Sequence, residues 1–164
     1  MSMNDLKAIY LDQLHDLYSA NIQSAEVTAR LASAASSEEL TAALQRGEKG
    51  IKDGMSVMTK IIASHGDQDK SEHCMGMEGL VKEAEAHALN ESFGNDETRD
   101  AMIIAQYQRM AHYAIAGYGC LAAFATRLEL DDDHKQIKEC LDACYDGDRT
   151  MSELAESGIN AEAV

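Results

Sequence analysis

Four groups of residues in this chain could do chemistry together, because helical spacing would bring them into one layer. They are Tyr18 with Asn21, then Glu48 with Lys49 and Lys52, then His112 with Ala111 and Ala114, and finally Cys144 with Asp148. Each group lies on or beside the apolar stripe its helix would bury. Four-helix bundles that hold two metal ions put carboxylates and histidines at such positions. Several of the positions here carry Asn, Lys, Ala and Cys instead. Two hard cations need several anionic oxygens to offset their charge and desolvation, so this layer suits them badly.

The elements that would position this layer are legible as periodic stripes. Residues 4–34 form a first helix on Leu6, Tyr10, Leu14, Leu17, Asn21, Ser24, Thr28 and Leu31, at steps of three or four. Ser36, with Glu39 three residues later, reads as a capping box for a second helix from Glu38 to Ser64. Its stripe is Leu40, Leu44, Glu48, Ile51, Met55, Met58 and Ile62, and Gly66 suits a left-handed turn after it. A polar loop over 66–72 precedes a shorter helix from Cys74 to Leu89. Asn95 or Asp96 caps a fourth helix that runs to about Leu128 on Ile103, Tyr107, Met110, Ala114, Tyr118 and Leu121. Asp131, Asp132 and Asp133 open a fifth helix, where the dipole favours negative charge. Its inner stripe is Ile137, Leu141, Cys144, Asp148, Met151 and Leu154, and the tail after Gly158 is expected to fray. Four helices of 25–30 residues reach about 40 Å each. Short links pair the first with the second and the fourth with the fifth. The middle connection is the long crossover of a ferritin-like bundle.

Composition agrees with one all-α domain over residues 1–164. The chain of 164 residues has no proline and no tryptophan, which favours a few long helices over a many-turned β fold. No run approaches a membrane span, and the start MSMNDLKAIYLDQ lacks a signal pattern, so a cytoplasmic protein without a membrane partner is expected. A net charge of −15 repels phosphate backbones and argues against nucleic-acid binding. The same acidity reads as solvated outer faces, or else as attraction for cations or basic partners. Four cysteines without a signal peptide read as reduced thiols.

Four segments, LDQLHDLYSA (11–20), CMGMEGLVKEA (74–84), RDAMIIAQYQRMAHYAIAGYGCLAAFA (99–125) and KECLDACYDGD (138–148), resemble the YciE/YciF stress-protein family of the ferritin-like superfamily. The run Met77 to Leu80 and the stretch from His112-Tyr113 to Tyr118-Gly119 are its more specific parts. The resemblance implies a four-helix bundle that dimerises, is induced under stress and in some members binds a di-iron-type centre. Carried over residue by residue, the family's first-helix glutamate aligns with Asn21, and its second-helix Glu-x-x-His (or Glu) aligns with Lys49 and Lys52. The fourth-helix glutamates align with Ala111 and Ala114, and the fifth-helix glutamate with Cys144. Only the aspartate after it persists, as Asp148. A one-turn shift could bring Glu48 into the second-helix role without restoring the rest.

The leading expectation is therefore a stress-associated bundle protein, metal-free and non-enzymatic, with a degenerate di-metal centre, no cofactor and a small, homodimeric assembly. The alternative is a di-metal oxidoreductase or iron-handling protein, with iron or manganese on Glu48, His112, Glu139, Asp142 and Asp148. Lys52, or Lys49, is expected to replace the metal's charge as an internal cation paired with Glu48 and Asp148. Cys120, Cys140 and Cys144 are expected near one another as small core hydrophobes, with a disulfide or soft-metal site as the alternative. The soft-ligand segment His73-Cys74-Met75-Gly76-Met77 reads as core packing against Cu(I) capture. Tyr18, Tyr107 and Tyr118 are expected to bond to the polar layer through their hydroxyls, and His112 to be a hydrogen-bonded structural residue. His15, His65, His73, His87 and His134 receive no role.

Overall fold

The computed structural model describes residues 3–67 and 72–164. The polar loop expected over 66–72 falls largely on 68–71, outside the described residues. Five long or medium helices follow in order: α1 (Leu6–Ala34), α2 (Glu38–Ser64), α3 (Met75–Ala84, prolonged by a π-helical turn Glu85–Leu89), α4 (Asp96–Arg127) and α5 (Asp131–Leu154). A second π-helical turn, Ala155–Ile159, leads into a short α6 (Asn160–Glu162).

Helix starts are set by local acceptors for amides that have no partner inside a helix. Asp5 accepts from the Ala8 amide at 2.8 Å, and Asn95 accepts from the Thr98 amide at 2.8 Å. The Cys74 thiol caps α3 by accepting from the Met77 amide at 3.5 Å. The start of α2 differs from the expected capping box. Ser37, not Ser36, is the cap, accepting from Leu40 at 3.3 Å. The reason is tertiary: buried Asp100 on α4 accepts from the Ser36 and Ser37 amides at 2.9 and 2.8 Å. That carboxylate fixes the α1–α2 turn to α4 and leaves Ser37 to begin the helix. At the other end of α2, Gly66 adopts φ 69°, the left-handed turn its type allows.

Antiparallel hairpins α1–α2 and α4–α5 pack so that α1 neighbours α4 and α2 neighbours α5. α3 lies against α1 and α4, so it covers that side of the bundle and leaves the α2–α5 seam open. Leu14, Leu44, Met58, Ile103, Leu121 and Ile137 are among the fully buried side chains of one continuous core. The tail does not fray as expected. The π-helical turn carries the chain on along α4 and turns Ile159 into the core. Among the described residues no helix is long and apolar enough to cross a membrane.

The middle of α2 also departs from its expected stripe. Glu48, Ile51 and Met55 are only partly buried, and Gly54 is buried in their place. Gly47 and Gly54 present bare backbone to two tyrosine rings from α4. A methyl at Gly47 would collide with the Tyr107 hydroxyl and stand 3.0 Å from its ring carbon, and one at Gly54 would collide with the Tyr118 hydroxyl.

Candidate functional site, a cavity at the bundle centre

Where α1, α2, α4 and α5 meet, the bundle encloses a cavity of about 270 Å³. Asn21 and Thr28 line it from α1, Ala111 and Ala114 from α4, and Cys140 and Cys144 from α5. Gly47 and Gly50 form its α2 edge, with Arg46 beside them and Asp146 and Gly147 across the seam. Gly50, Arg46, Ala143 and Asp146 are exposed, so the mouth opens between α2 and α5.

Four of the residues expected in the central layer therefore share one space: Asn21, Ala111, Ala114 and Cys144. What they offer is one amide, two methyls and one thiol. Burial pushes the Cys144 thiol up to about 12, helped by Cys140 beside it, and burial likewise pushes Cys140 up to about 11. Both sulfurs stay protonated at neutral pH and are poor ligands in that form. The Asn21 amide is engaged, donating to the Tyr118 hydroxyl at 2.8 Å. Two hard cations do not fit this donor set.

The lysines are not internal cations. Lys52 is paired with Glu48 at 2.5 Å, but its side chain is 61% exposed. Lys49 pairs with Asp53 at 2.6 Å and is 75% exposed. The expected buried ion pair is thus a surface i,i+4 pair, which contributes well under 1 kcal/mol in typical cases. The flexible stems let both ammonium groups reach water at no cost in burial.

The alternative ligand set is not brought together either. His112 lies on the outer face of α4, 63% exposed, and its Nε2 sits 3.1 Å from Asp148. Asp148 also accepts from Gln108 at 3.0 Å. Asp142 pairs with Lys138, Glu48 with Lys52, and Glu139 is exposed. Among the described residues no group of three or more His, Cys, Asp and Glu side chains could hold a metal ion.

Other expectations divide. Tyr118 bonds to the polar layer as expected, but the Tyr107 hydroxyl, which faces the cavity, finds no hydrogen-bond partner among the described residues, and Tyr18 is only half-buried. Cys120 is exposed, which removes it from the expected trio of core thiols, and all four cysteines are free. Cys120 directly precedes Leu121 of the α4 stripe and so points about 100° away from that face, which explains this. In the soft-ligand segment, Cys74 and Met77 are buried while Met75 and His73 face outward. They do not converge on one ion.

Two polar networks had no reading in the sequence. At one end of the bundle, Asp133 accepts from Tyr10 at 2.8 Å and meets His65 Nε2 at 2.6 Å, while Lys7 approaches the other nitrogen of His65 at 2.7 Å. Nearby, buried His15 reaches Asp67 at 3.2 Å. At the α1–α3–α4 junction, the Cys74 thiol lies 3.0 Å from the Tyr113 hydroxyl and 3.4 Å from Asp16. The glycine edge of the cavity was also missed. Its signal was present, since Gly47, Gly50 and Gly54 recur at helical steps of three and four.

Comparison with known proteins gives a family. Residues 5–164 match DUF892, a domain of unknown function. The chain is 32% identical to Protein YciF of Escherichia coli (strain K12) over 164 residues, covering 99% of this chain and 98% of that protein. The crystal structure of the E. coli stress protein YciF superposes with a TM-score of 0.89, covering 96% of this chain and 99% of that one. The structure of YcfI from Rhodopseudomonas palustris, 23% identical, has the same fold, with a TM-score of 0.86 over 92% of this chain and 95% of its own.

Proposed function

This chain belongs to the DUF892 family, the family of YciF, and from that premise we propose that it is a stress-associated ferritin-like bundle protein that works without a metal and without catalysing a reaction. YciF of E. coli is a stress protein, and the association is carried to this chain by similarity over the full length. The metal-free reading rests on one observation: Asn21, Ala111, Ala114 and Cys144 surround the central cavity and supply no carboxylate to it. We further read it as a cytoplasmic homodimer that binds neither nucleic acid nor membrane. The charge of −15 supports the last two points, because anionic surfaces repel it.

The test is metal analysis of the purified protein after incubation with Fe(II) and with Mn(II), followed by an assay for iron oxidation. The expected result is metal well below one ion per chain and no oxidation above the background of the buffer. Two ions per chain, bound reversibly and lost in an Asp148→Ala variant, would overturn the reading in favour of a remodelled di-metal oxidoreductase. Light scattering tests the assembly: a particle of two chains is expected, and a shell of many subunits would refute it.

A further inference from the structure

The space left at the bundle centre has the properties of a binding pocket and not of a packing fault. Protein interiors hold few voids larger than a water molecule. A cavity of about 270 Å³ that persists at the crossing of four helices is large against that rule. Its α2 edge is glycine where larger residues would close it, and a methyl at Gly50 would meet nothing within 4 Å. Ala43, Met110, Ala111, Ala114, Cys144 and Met151 give its walls methyl, thiol and thioether surface.

Two hydroxyls at its wall have no protein partner among the described residues. Tyr107 is 6% exposed, its ring lines the cavity, and its hydroxyl bonds to nothing among the described residues. Thr28 is fully buried, and its hydroxyl has no partner either. A buried hydroxyl without a hydrogen bond costs about 1–3 kcal/mol. That cost falls on Thr28, whereas the Tyr107 hydroxyl opens onto the cavity, where it suits a ligand that brings one donor or acceptor with an apolar body. We propose that the cavity binds a small, uncharged, largely apolar molecule carrying a single hydroxyl or carbonyl, which bonds to Tyr107 at its polar end.

Size and charge narrow the class. An apolar cavity of about 150 Å³ takes a benzene ring, so this one takes a molecule of about ten heavy atoms. A charged group is disfavoured because the two charged lining residues, Arg46 and Asp146, stand at the exposed mouth, and burying an unpaired ion beyond them is expensive. Burial raises Tyr107, Cys140 and Cys144 further above their ordinary values, in the same sense as a space that disfavours negative charge.

The inference rests on the metal-free reading, and the test separates the two. The purified protein, with its metal content measured, is titrated with 2-naphthol, which has a two-ring apolar body and one hydroxyl. Calorimetry should give saturable binding of one molecule per chain, and amide shifts in NMR should centre on Ala111, Ala114 and Cys144. Tyr107→Phe should weaken binding roughly three- to tenfold, the range of one net hydrogen bond. Gly50→Phe at the mouth and Ala114→Leu at the wall should each weaken it more than tenfold while the thermal transition stays cooperative. 2-Naphthalenesulfonate should not bind. No saturable binding by a metal-free protein, shifts centred elsewhere, or equal binding of the sulfonate would each overturn the pocket and leave the metal-free reading standing. Stoichiometric metal at the centre would remove the metal-free reading itself.

Discussion

The glycine edge of α2 makes a paired prediction, because two glycines one turn apart meet opposite surroundings. In an exposed helix interior, Gly→Ala stabilises by about 1 kcal/mol through backbone entropy alone. At Gly50 nothing opposes that gain, since the added methyl meets no atom within 4 Å. Gly50→Ala should therefore stabilise by about 0.5–1 kcal/mol. At Gly54 the methyl collides with the Tyr118 hydroxyl, and the ring carbon bearing it lies only 3.5 Å away. Tyr118 must move, and its hydroxyl is held by Asn21 Nδ2 at 2.8 Å in a site where both side chains are about 2% exposed. Losing that bond leaves a buried amide unsatisfied at about 1–3 kcal/mol. Overpacking adds about 1–3 kcal/mol more. Against a propensity gain of about 1 kcal/mol, Gly54→Ala should destabilise by about 1–4 kcal/mol. In a chain of this size one kcal/mol moves Tm by about 2–4 °C. Urea denaturation with thermal melts by circular dichroism reads both. Equal effects from the two substitutions would refute the argument, because propensity alone cannot tell the sites apart.

The buried carboxylate Asp100 holds two amides of the α1–α2 turn, so Asp100→Ala should cost about 2–4 kcal/mol in urea unfolding, while Glu97→Ala beside it should change little. Asp133→Ala should be similarly costly, because it strips both Tyr10 and His65 of a partner at 2.8 and 2.6 Å, and Tyr10→Phe should be milder since one of the two contacts survives. Alkaline pH should destabilise the fold: Cys140 and Cys144 are raised from an ordinary value of 9.0 to about 11 and 12, mainly by burial. The folded chain then holds protons the unfolded chain releases, so this contribution is intact below about pH 9 and is lost as pH rises through 11 to 12. Melts at stepped pH should show a shallower fall for Cys144→Ala than for the parent, and parallel curves would contradict it. Glu129 sits at φ 58°, so Glu129→Gly in the α4–α5 turn should stabilise by up to about 1 kcal/mol, read as a rise in Tm.

Long stripes were legible because a helix repeats its message over many turns. α1 and α2 end within two residues of the expected bounds, and α4 carries its expected Ile103, Tyr107, Met110, Tyr118 and Leu121 face into the core. Legibility failed where one element's fate was decided by another. Ser36 satisfies the capping-box pattern, yet Asp100, 64 residues away, takes its amide and moves the cap to Ser37. The inner face of mid-α2 was assigned to Glu48 because hydrophobicity counts side chains, and a glycine offers none to count. Only the size of the facing Tyr107 and Tyr118 rings makes bare backbone the better fit. The candidate site was located by sequence, since Asn21, Ala111, Ala114 and Cys144 do converge. Its content was not, because periodicity places a residue on a face and does not say whether the space beyond it is filled.

That content has a physical logic. Removing two cations from a ring of carboxylates would leave buried anions repelling one another. An internal lysine could offset that repulsion, but the desolvation of a buried ion pair often exceeds its attraction. This chain takes the other route. Of the residues expected at the centre, the four that line the space, Asn21, Ala111, Ala114 and Cys144, are neutral, Asp148 is held near the surface by His112 and Gln108, and both lysines reach water beside partners of their own. No charge is then left inside to compensate. An alanine or a cysteine at these positions also fills less volume than a glutamate would, and α1, α2, α4 and α5 cannot collapse into the gap. Tyr107 and Tyr118 already brace α2 at Gly47 and Gly54, and α3 closes the far side. A neutral layer on a braced scaffold therefore leaves an apolar space, with the Tyr107 hydroxyl as the polar group that a molecule entering it can meet.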